Sequence, residues 1–273
     1  MTQSELFCVI DDRKGEVNMA RICDIYDVIN AVAPFASQLS FDNSGLLVGD
    51  GGTEVTRALL CLDITPAVVE EAVTLNVNLV ISHHPVIFEP LKSLNSRELP
   101  YLLAQNGIAA LCCHTNLDLS PVCGVNVALA SCLGLRNVRG EDVFGEDSVL
   151  FSGDLEREME PREFAVLVKE RLGAGAVQWV DAGRPVKRVF FCSGAGGDEI
   201  KHAACRGAEA FLTGEIKHHE ALEAARLGLS CVAAGHYETE KPFAAFLASY
   251  LKRRFPDTGF LLSRAEQAAF ETV

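Results

Sequence analysis

The sequence predicts an α/β protein of two lobes, each a mainly parallel sheet flanked by helices, with the C-terminal helix returning to the first lobe. Three observations carry this. Apolar runs of strand length alternate with segments of helical period along most of the chain. The strand runs are apolar on consecutive residues, as in "VNLVISHH" and "IAALCCHTNLD", which suits a sheet covered on both faces. The alternation pauses over a more polar stretch, residues 135–185, and then resumes, so it divides the chain in two.

Residues 1–18 read as an N-terminal extension, and Met19 opens the first lobe. Ile22, Ile25, Val28, Ile29 and Val32 recur at helical spacing and predict one amphipathic helix that stops before Pro34. "DNSGLLVGD" reads as a turn and a short strand. "RALLCLDIT" is a strand, and "PAVVEEAVTLN" a helix with Pro66 in its first turn. "VNLVISHH", "LPYLLAQNG" and "IAALCCHTNLD" continue as strand, helix and strand, and "GVNVALASCLG" is a helix ending at Gly134. The polar stretch holds a helix, "REFAVLVKERLG", and a strand, "AVQWVDAG". Strands "VKRVFFCSG", "AEAFLTG" and "LSCVAAGH" then alternate with helices "DEIKHAACRG" and "IKHHEALEAARLG". "KPFAAFLASYLKRRF" is the last helix, with Pro242 in its first turn and Thr239 placed to cap it. The expected division is 1–18 as extension, 19–120 plus 240–273 as first lobe and 121–239 as second, with a cleft between the lobes.

Charge and composition exclude several functions. The 24 basic and 37 acidic residues leave a formal charge of −13, and the one basic cluster is the short "LKRRF", so direct DNA binding is not expected. A small anionic substrate stays open if a metal supplies positive charge locally. No window approaches the roughly 18 apolar residues of a membrane span, and Asp11 and Asp12 interrupt the N-terminal apolar patch, so a soluble, cytoplasmic protein is expected. The ten cysteines form no C-x-x-C pair, and several sit inside apolar runs, where free thiols behave as small hydrophobes. The adjacent Cys112 and Cys113 read as packing on alternate faces.

Three of the apolar strands end in metal-ligand chemistry. One ends in His83 and His84, one in His114 with Asp118 four residues on, and one in His236 with Glu240 four residues on. Ligand sites in parallel sheets form outside the carboxyl ends of the strands, so these tips converge if the strands are neighbours. Imidazole and carboxylate together suit zinc, iron(II) or manganese. The competing reading is a set of histidines satisfied within the core, which three separate strand ends make harder to sustain. Adjacent strand residues point to opposite faces, so for His83 and His84 to share a site the chain must leave the pleat, which Pro85 favours. His236 is expected in the loop before the last helix, so its spacing to Glu240 does not establish a shared helical face.

The motifs "FDNSGLLVGD", "LDITPAVVEEA", "SHHPVIFEPLKSL", "HTNLD", "CSGAGGDEI", "TGEIKHHEA" and "AGHYETE" occur in this order. Together they resemble the Ngg-interacting factor three-like family, also called the GTP cyclohydrolase 1 type 2 family, over about residues 20–262. The resemblance implies two α/β lobes, a ring-shaped homohexamer and two divalent transition-metal ions per subunit, with His83, His84, Asp118, His236 and Glu240 as ligands. It selects Glu240 over Glu238 in "YETE", which the residues alone do not decide. "FDN" departs from the more usual "WDN", residues 1–18 have no family counterpart, and the chain is too short for the domain some members carry inserted mid-chain.

The remaining motifs leave alternatives open. Gly194, Gly196 and Gly197 form either a loop that holds a phosphate at a helix start or a tight strand-to-helix turn, and Glu199 breaks the G-x-G-x-x-G match. Glu215, His218 and His219 flank a helix start as a solvated face. The resemblance puts that stretch near the metal cleft, which makes His219 a candidate proton shuttle. His114 is a candidate base or an orienter of a ligand, and Asp63 a candidate orienter. His202 is most simply a helix-surface residue. The expected function is a dinuclear-metal-dependent hydrolase of a nucleotide-like substrate, with GTP ring opening suggested by the family name. The alternatives are a non-catalytic metal-delivery protein and a ring-shaped interaction scaffold.

Overall fold

A computed structural model describes residues 19–141 and 149–270. The expected N-terminal extension therefore lies outside the described residues. The strands, in chain order, are β1 (Gly45–Val48), β2 (Arg57–Cys61), β3 (Leu79–Ser82), β4 (Ala109–Cys112), β5 (Arg136–Gly140), β6 (Phe151–Met159), β7 (Gln178–Val180), β8 (Val186–Phe191), β9 (Ala210–Thr213), β10 (Ser230–Ala233) and β11 (Gly259–Leu262). They form one sheet in the order β1-β4-β3-β2-β11 and another in the order β5-β6-β8-β9-β10-β7. In the first, only β1 runs against its neighbour. In the second, β8, β9 and β10 are a parallel core, and antiparallel pairings add β6 and then β5 on one side and β7 on the other.

Period-two alternation explains why each sheet is covered twice. In the first sheet, Leu60, Ile81 and Leu111 face the helices Ile22–Asn30 and Pro242–Lys252. Their strand neighbours Leu59, Val80 and Ala110 face Pro66–Thr74 and Leu99–Gln105. In the second sheet, Phe191, Leu212 and Val232 meet Val125–Leu133 and Pro161–Leu172. Phe190, Phe211 and Cys231 meet Ile200–Cys205 and His218–Arg226. The final helix returns to the first core, where Phe243, Leu247 and Leu251 are fully buried. It also packs against Val125–Leu133.

Every cysteine among the described residues is a free thiol. Cys112 and Cys113 are both buried, and desolvation pushes both thiols well above their ordinary range. No helix among the described residues is long and apolar enough to cross a membrane.

Candidate metal centre

The carboxyl ends of β3, β4 and β10 meet at the seam between the sheets. The parallel ladder continues just past β3, with the His83 amide donating to the Cys61 carbonyl and the His84 amide to the Leu62 carbonyl. The chain then turns, and the Ser82 hydroxyl donates to the His84 carbonyl at 2.8 Å. The two imidazoles come to lie 5.1 Å apart, centre to centre. His114 follows β4, and its ring is 5.1 Å from His83 and 5.5 Å from His84. His236, beyond β10, stands 5.3 Å from His84.

His236 is not in a loop. It opens a short helix, His236–Glu240, that runs directly into Pro242–Lys252. Gly235 allows this, because its φ of +96° turns the chain in a way a side chain resists. His236 and Glu240 therefore share a helical face, with Nε2 and Oε2 3.1 Å apart. Thr239 lies inside this helix and does not cap the next one. Its hydroxyl reaches back to the carbonyls of Gly235 and His236 and accepts the Gly194 amide. Asp118 ends the one-turn helix Thr115–Asp118, its Oδ1 3.6 Å from His83 Nε2.

All four imidazoles share one arrangement. Each Nδ1 is held by an acceptor: the Cys113 carbonyl for His83 at 2.8 Å, Asp63 for His84 at 2.8 Å, Asp42 for His114 at 2.7 Å, and Glu215 for His236 at 3.1 Å. An acceptor at Nδ1 demands Nδ1–H and leaves Nε2 as the ligand atom. Ligand atoms of His83, His84 and His114 lie within 4.8 Å of one another, as do those of His84, His236 and Glu240, so each trio can hold a metal ion. With the imidazoles neutral, His83 Nε2 and Glu240 Oε2 are buried without a hydrogen-bond partner. Buried polar atoms left in this way are costly unless something joins them. A cation between these rings and carboxylates does so, and the donor set is one that divalent transition metals accept.

The electrostatics agree. Burial pushes the Glu240 carboxyl upward, but the surrounding imidazoles, His83 first, outweigh it and hold the group well below the usual range. Asp118 moves the other way, raised by burial and by the Glu240 charge. Burial opposes protonation of His84, yet Asp63 and Glu240 overcome it and lift its pKa to about 10. His236 is raised chiefly by Glu240, and His83, against its burial, by Asp118 and Glu240. The acids thus hold positive charge at this point. A divalent cation meets the same demand and displaces imidazole protons.

Sequence reasoning gave Asp42, Ser193 and Asn126 no role, and read Glu215 as part of a solvated face. Asp42 has no side-chain exposure and accepts from the Ser44 hydroxyl, the His114 ring and the Thr115 amide and hydroxyl; His114 and Thr115 hold it well below the usual carboxylate range despite burial. The Ser193 hydroxyl reaches Asp118 at 3.4 Å, and Asn126 ties the Ser193 amide to the Asp118 carbonyl. Asp42 lies in the conspicuous "FDN" motif, which was its available signal. His219 stands elsewhere, with its side chain 75% exposed, at a cavity shared with Asp198, Glu220 and Glu223. Proximity to the cleft belongs to Glu215 of that stretch and not to His219. The glycine loop is a tight turn fitted around carboxylates: a Cβ at Gly194 would collide with Glu240, and one at Gly197 with Glu220. Such surroundings repel phosphate.

A cavity of about 760 Å³ adjoins the cluster on its His84 and His236 side. Asp63, Glu215, Tyr237 and Glu238 form part of its wall, and the C-terminal segment from Glu266 to Phe270 closes another part.

Two α/β sheets meeting at a buried histidine and carboxylate cluster define a candidate metalloprotein. The model of the DUF34/NIF3 (NGG1p interacting factor 3) family matches residues 20–267, and the chain belongs to that family. A Campylobacter jejuni protein named GTP cyclohydrolase 1 type 2 homolog is 32% identical over 237 residues, covering 85% of this chain and 92% of that one. A Helicobacter pylori protein named GTP cyclohydrolase 1 type 2 is 33% identical over 241 residues, with the same coverage of 85% and 92%. Among solved structures, a Staphylococcus aureus hypothetical protein matches with a TM-score of 0.86 at 28% identity, covering 94% of this chain and all of that one. Reduced HcgD from Methanocaldococcus jannaschii matches at 0.76 with 26% identity, covering 90% and 99%.

Proposed function

We propose that this chain is a metal-dependent hydrolase of a small nucleotide-like substrate, with two divalent transition-metal ions, zinc, iron or manganese, held by His83, His84, Asp118, His236 and Glu240. His114 is added to that set, because its ring joins the His83 and His84 trio. The observation that carries the reading is the common arrangement of four imidazoles, each fixed through Nδ1 by a carbonyl or carboxylate, with Nε2 of His83, His84 and His236 turned toward buried Glu240 and that of His83 also toward Asp118. Four histidines satisfied within the core for structural reasons do not require that shared arrangement.

When bound, the ions supply Lewis-acid activation of water and of a substrate oxygen or C=N carbon. The chain's own residues do the rest. Asp42, Asp63 and Glu215 hold the rings of His114, His84 and His236 in one tautomer and one direction. Glu240, in charge contact with three of the imidazoles, neutralises the centre from the second-sheet side, and Asp118 does so from the first. Six side chains divided between two ions leave positions for substrate, which favours catalysis over a purely structural site. Relatives named GTP cyclohydrolase 1 type 2 support a nucleotide-like substrate and make GTP the first compound to test. The family resemblance further supports a cytoplasmic homohexamer, for which the exposed Phe88, Leu91 and Leu94 offer apolar contact surface. Light scattering at six times the 29.5 kDa chain mass tests the assembly.

The activity is tested by incubating GTP, other nucleotides and phosphoesters with protein restored with zinc, manganese or iron(II), beside a Glu240→Gln variant. Turnover by the wild type that falls to background in the variant is expected. A fully metal-loaded protein that turns over nothing in the panel would leave metal delivery as the better reading.

A further inference from the structure

The cavity beside the centre holds two acids, Glu238 and Glu266, that the metal cluster does not use. Its walls bring together the carboxylates of Asp63, Glu215, Glu238 and Glu266, and among the described residues neither lysine nor arginine contributes to it. Ile64, Ala234, Ala268, Ala269 and Phe270 add apolar surface, and His84 and His236 border the cavity on the side of the centre. The volume suits a ligand of drug or nucleoside size.

Two of the acids are held ready. Glu238, the acid of "GHYETE" that the cluster does not use, lies over Gly235, where a Cβ would collide with its Oε2. It is half-buried and makes no hydrogen bond or ion pair with any described residue. Glu266 is anchored through Oε1, which accepts the Leu62 amide at 2.5 Å and the Asp63 amide at 3.0 Å. Its Oε2 makes no hydrogen bond with a described residue. A half-buried carboxylate without donors of its own is a preformed acceptor, and it repels further negative charge.

We infer that this cavity takes the uncharged or cationic end of the substrate, a nitrogen heterocycle with adjacent ring and exocyclic N–H donors read by the Glu238 carboxylate, and that it excludes polyphosphate. The inference rests on the hydrolase reading, since the reacting group then lies at the metals and the remainder of the molecule extends into the cavity. Any phosphate on such a substrate points away from Glu238 and Glu266. A site built to pair with N–H groups discriminates strongly against an analogue that lacks one, because an acceptor is then left unpaired.

Isothermal titration calorimetry of the full, metal-loaded chain tests this with guanosine, inosine and GTP as probes. Guanosine carries adjacent ring and exocyclic donors, inosine only the ring donor, and GTP adds the polyphosphate. Guanosine is expected to bind, inosine at least tenfold more weakly, and GTP no more tightly than guanosine. Glu238→Gln is expected to weaken guanosine at least tenfold at unchanged metal content. The inference is overturned if guanosine does not bind, if GTP binds tenfold tighter than guanosine, or if Glu238→Gln leaves guanosine affinity intact. Binding needs no turnover, so the two readings fail separately. Guanosine bound through Glu238 by a protein that hydrolyses nothing sinks the hydrolase alone. Hydrolysis that is indifferent to Glu238 sinks the cavity assignment alone.

Discussion

At the scale of single residues, the centre is a set of imidazoles whose protonation and metal binding compete. In the metal-free protein His84 has its pKa lifted to about 10, against an ordinary imidazole value of 6.5, because Asp63 and Glu240 outweigh its burial. A raised folded-state value means that the proton stabilises the fold. That contribution is fully present below about pH 6.5 and is lost as pH climbs through about 10. The Tm of chelator-stripped protein should therefore fall between those limits, and the fall should vanish in the metal-loaded protein, whose His84 is already neutral. A flat Tm in the stripped protein would contradict the assignment. Metal uptake at pH 7 should likewise release protons, seen as a calorimetric enthalpy that changes with the ionisation heat of the buffer. The acids that set these values were the least legible part of the sequence. His83, His84, Asp118, His236 and Glu240 announced themselves at strand ends. Asp63, at a strand end, was a candidate orienter, whereas Asp42 reaches its imidazole from 72 residues away, so its part exists only after the strands have paired.

At the scale of elements, local geometry decides which side chains reach the centre. The sequence made β2, β3, β4, β8, β9 and β10 legible because each is an apolar run with helices on either side. It hid β6, whose second half is exposed and charged, and β11, a four-residue strand made by tertiary pairing with β2. It also hid the helix His236–Glu240, because a five-residue helix has no period to detect and depends on the positive φ of Gly235. The glycine loop after β8 shows the same dependence. Gly194 has a φ of +65°, and the Glu240 carboxylate fills the space a side chain would need. Gly194→Ala should cost about 1–3 kcal/mol in urea unfolding through its strained backbone. It should also weaken metal binding by displacing Glu240. An alanine variant with wild-type stability and metal content would show that the loop does not position this acid.

At the scale of the whole molecule, two separately covered sheets are joined by packed helices and a polar seam. The helix Pro242–Lys252 lies in the core of the first sheet and also packs on Val125–Leu133, whose Val125 joins the first core and whose Leu129, Ala130 and Leu133 belong to the second. Leu247 is fully buried in that helix, and its truncation to alanine should cost about 2–5 kcal/mol. The chain's one tryptophan, Trp179, sits in β7 of the other sheet. If the molecule unfolds as a unit, Leu247→Ala shifts the Trp179 fluorescence transition and the far-UV circular dichroism transition together. A fluorescence midpoint that stays put would make the two sheets independent. In the proposed function the seam carries the activity, because the proposed ligands are divided between the sheets: His83, His84, His114 and Asp118 follow strands of the first, His236 and Glu240 a strand of the second. The most direct measurement is the metal content, by plasma mass spectrometry, of folded wild-type and Glu240→Gln protein after exposure to zinc, manganese or iron(II) and removal of free ion. The account predicts close to two ions per wild-type chain and a clear loss in the variant at unchanged circular dichroism. A folded wild-type chain that retains no metal would contradict it.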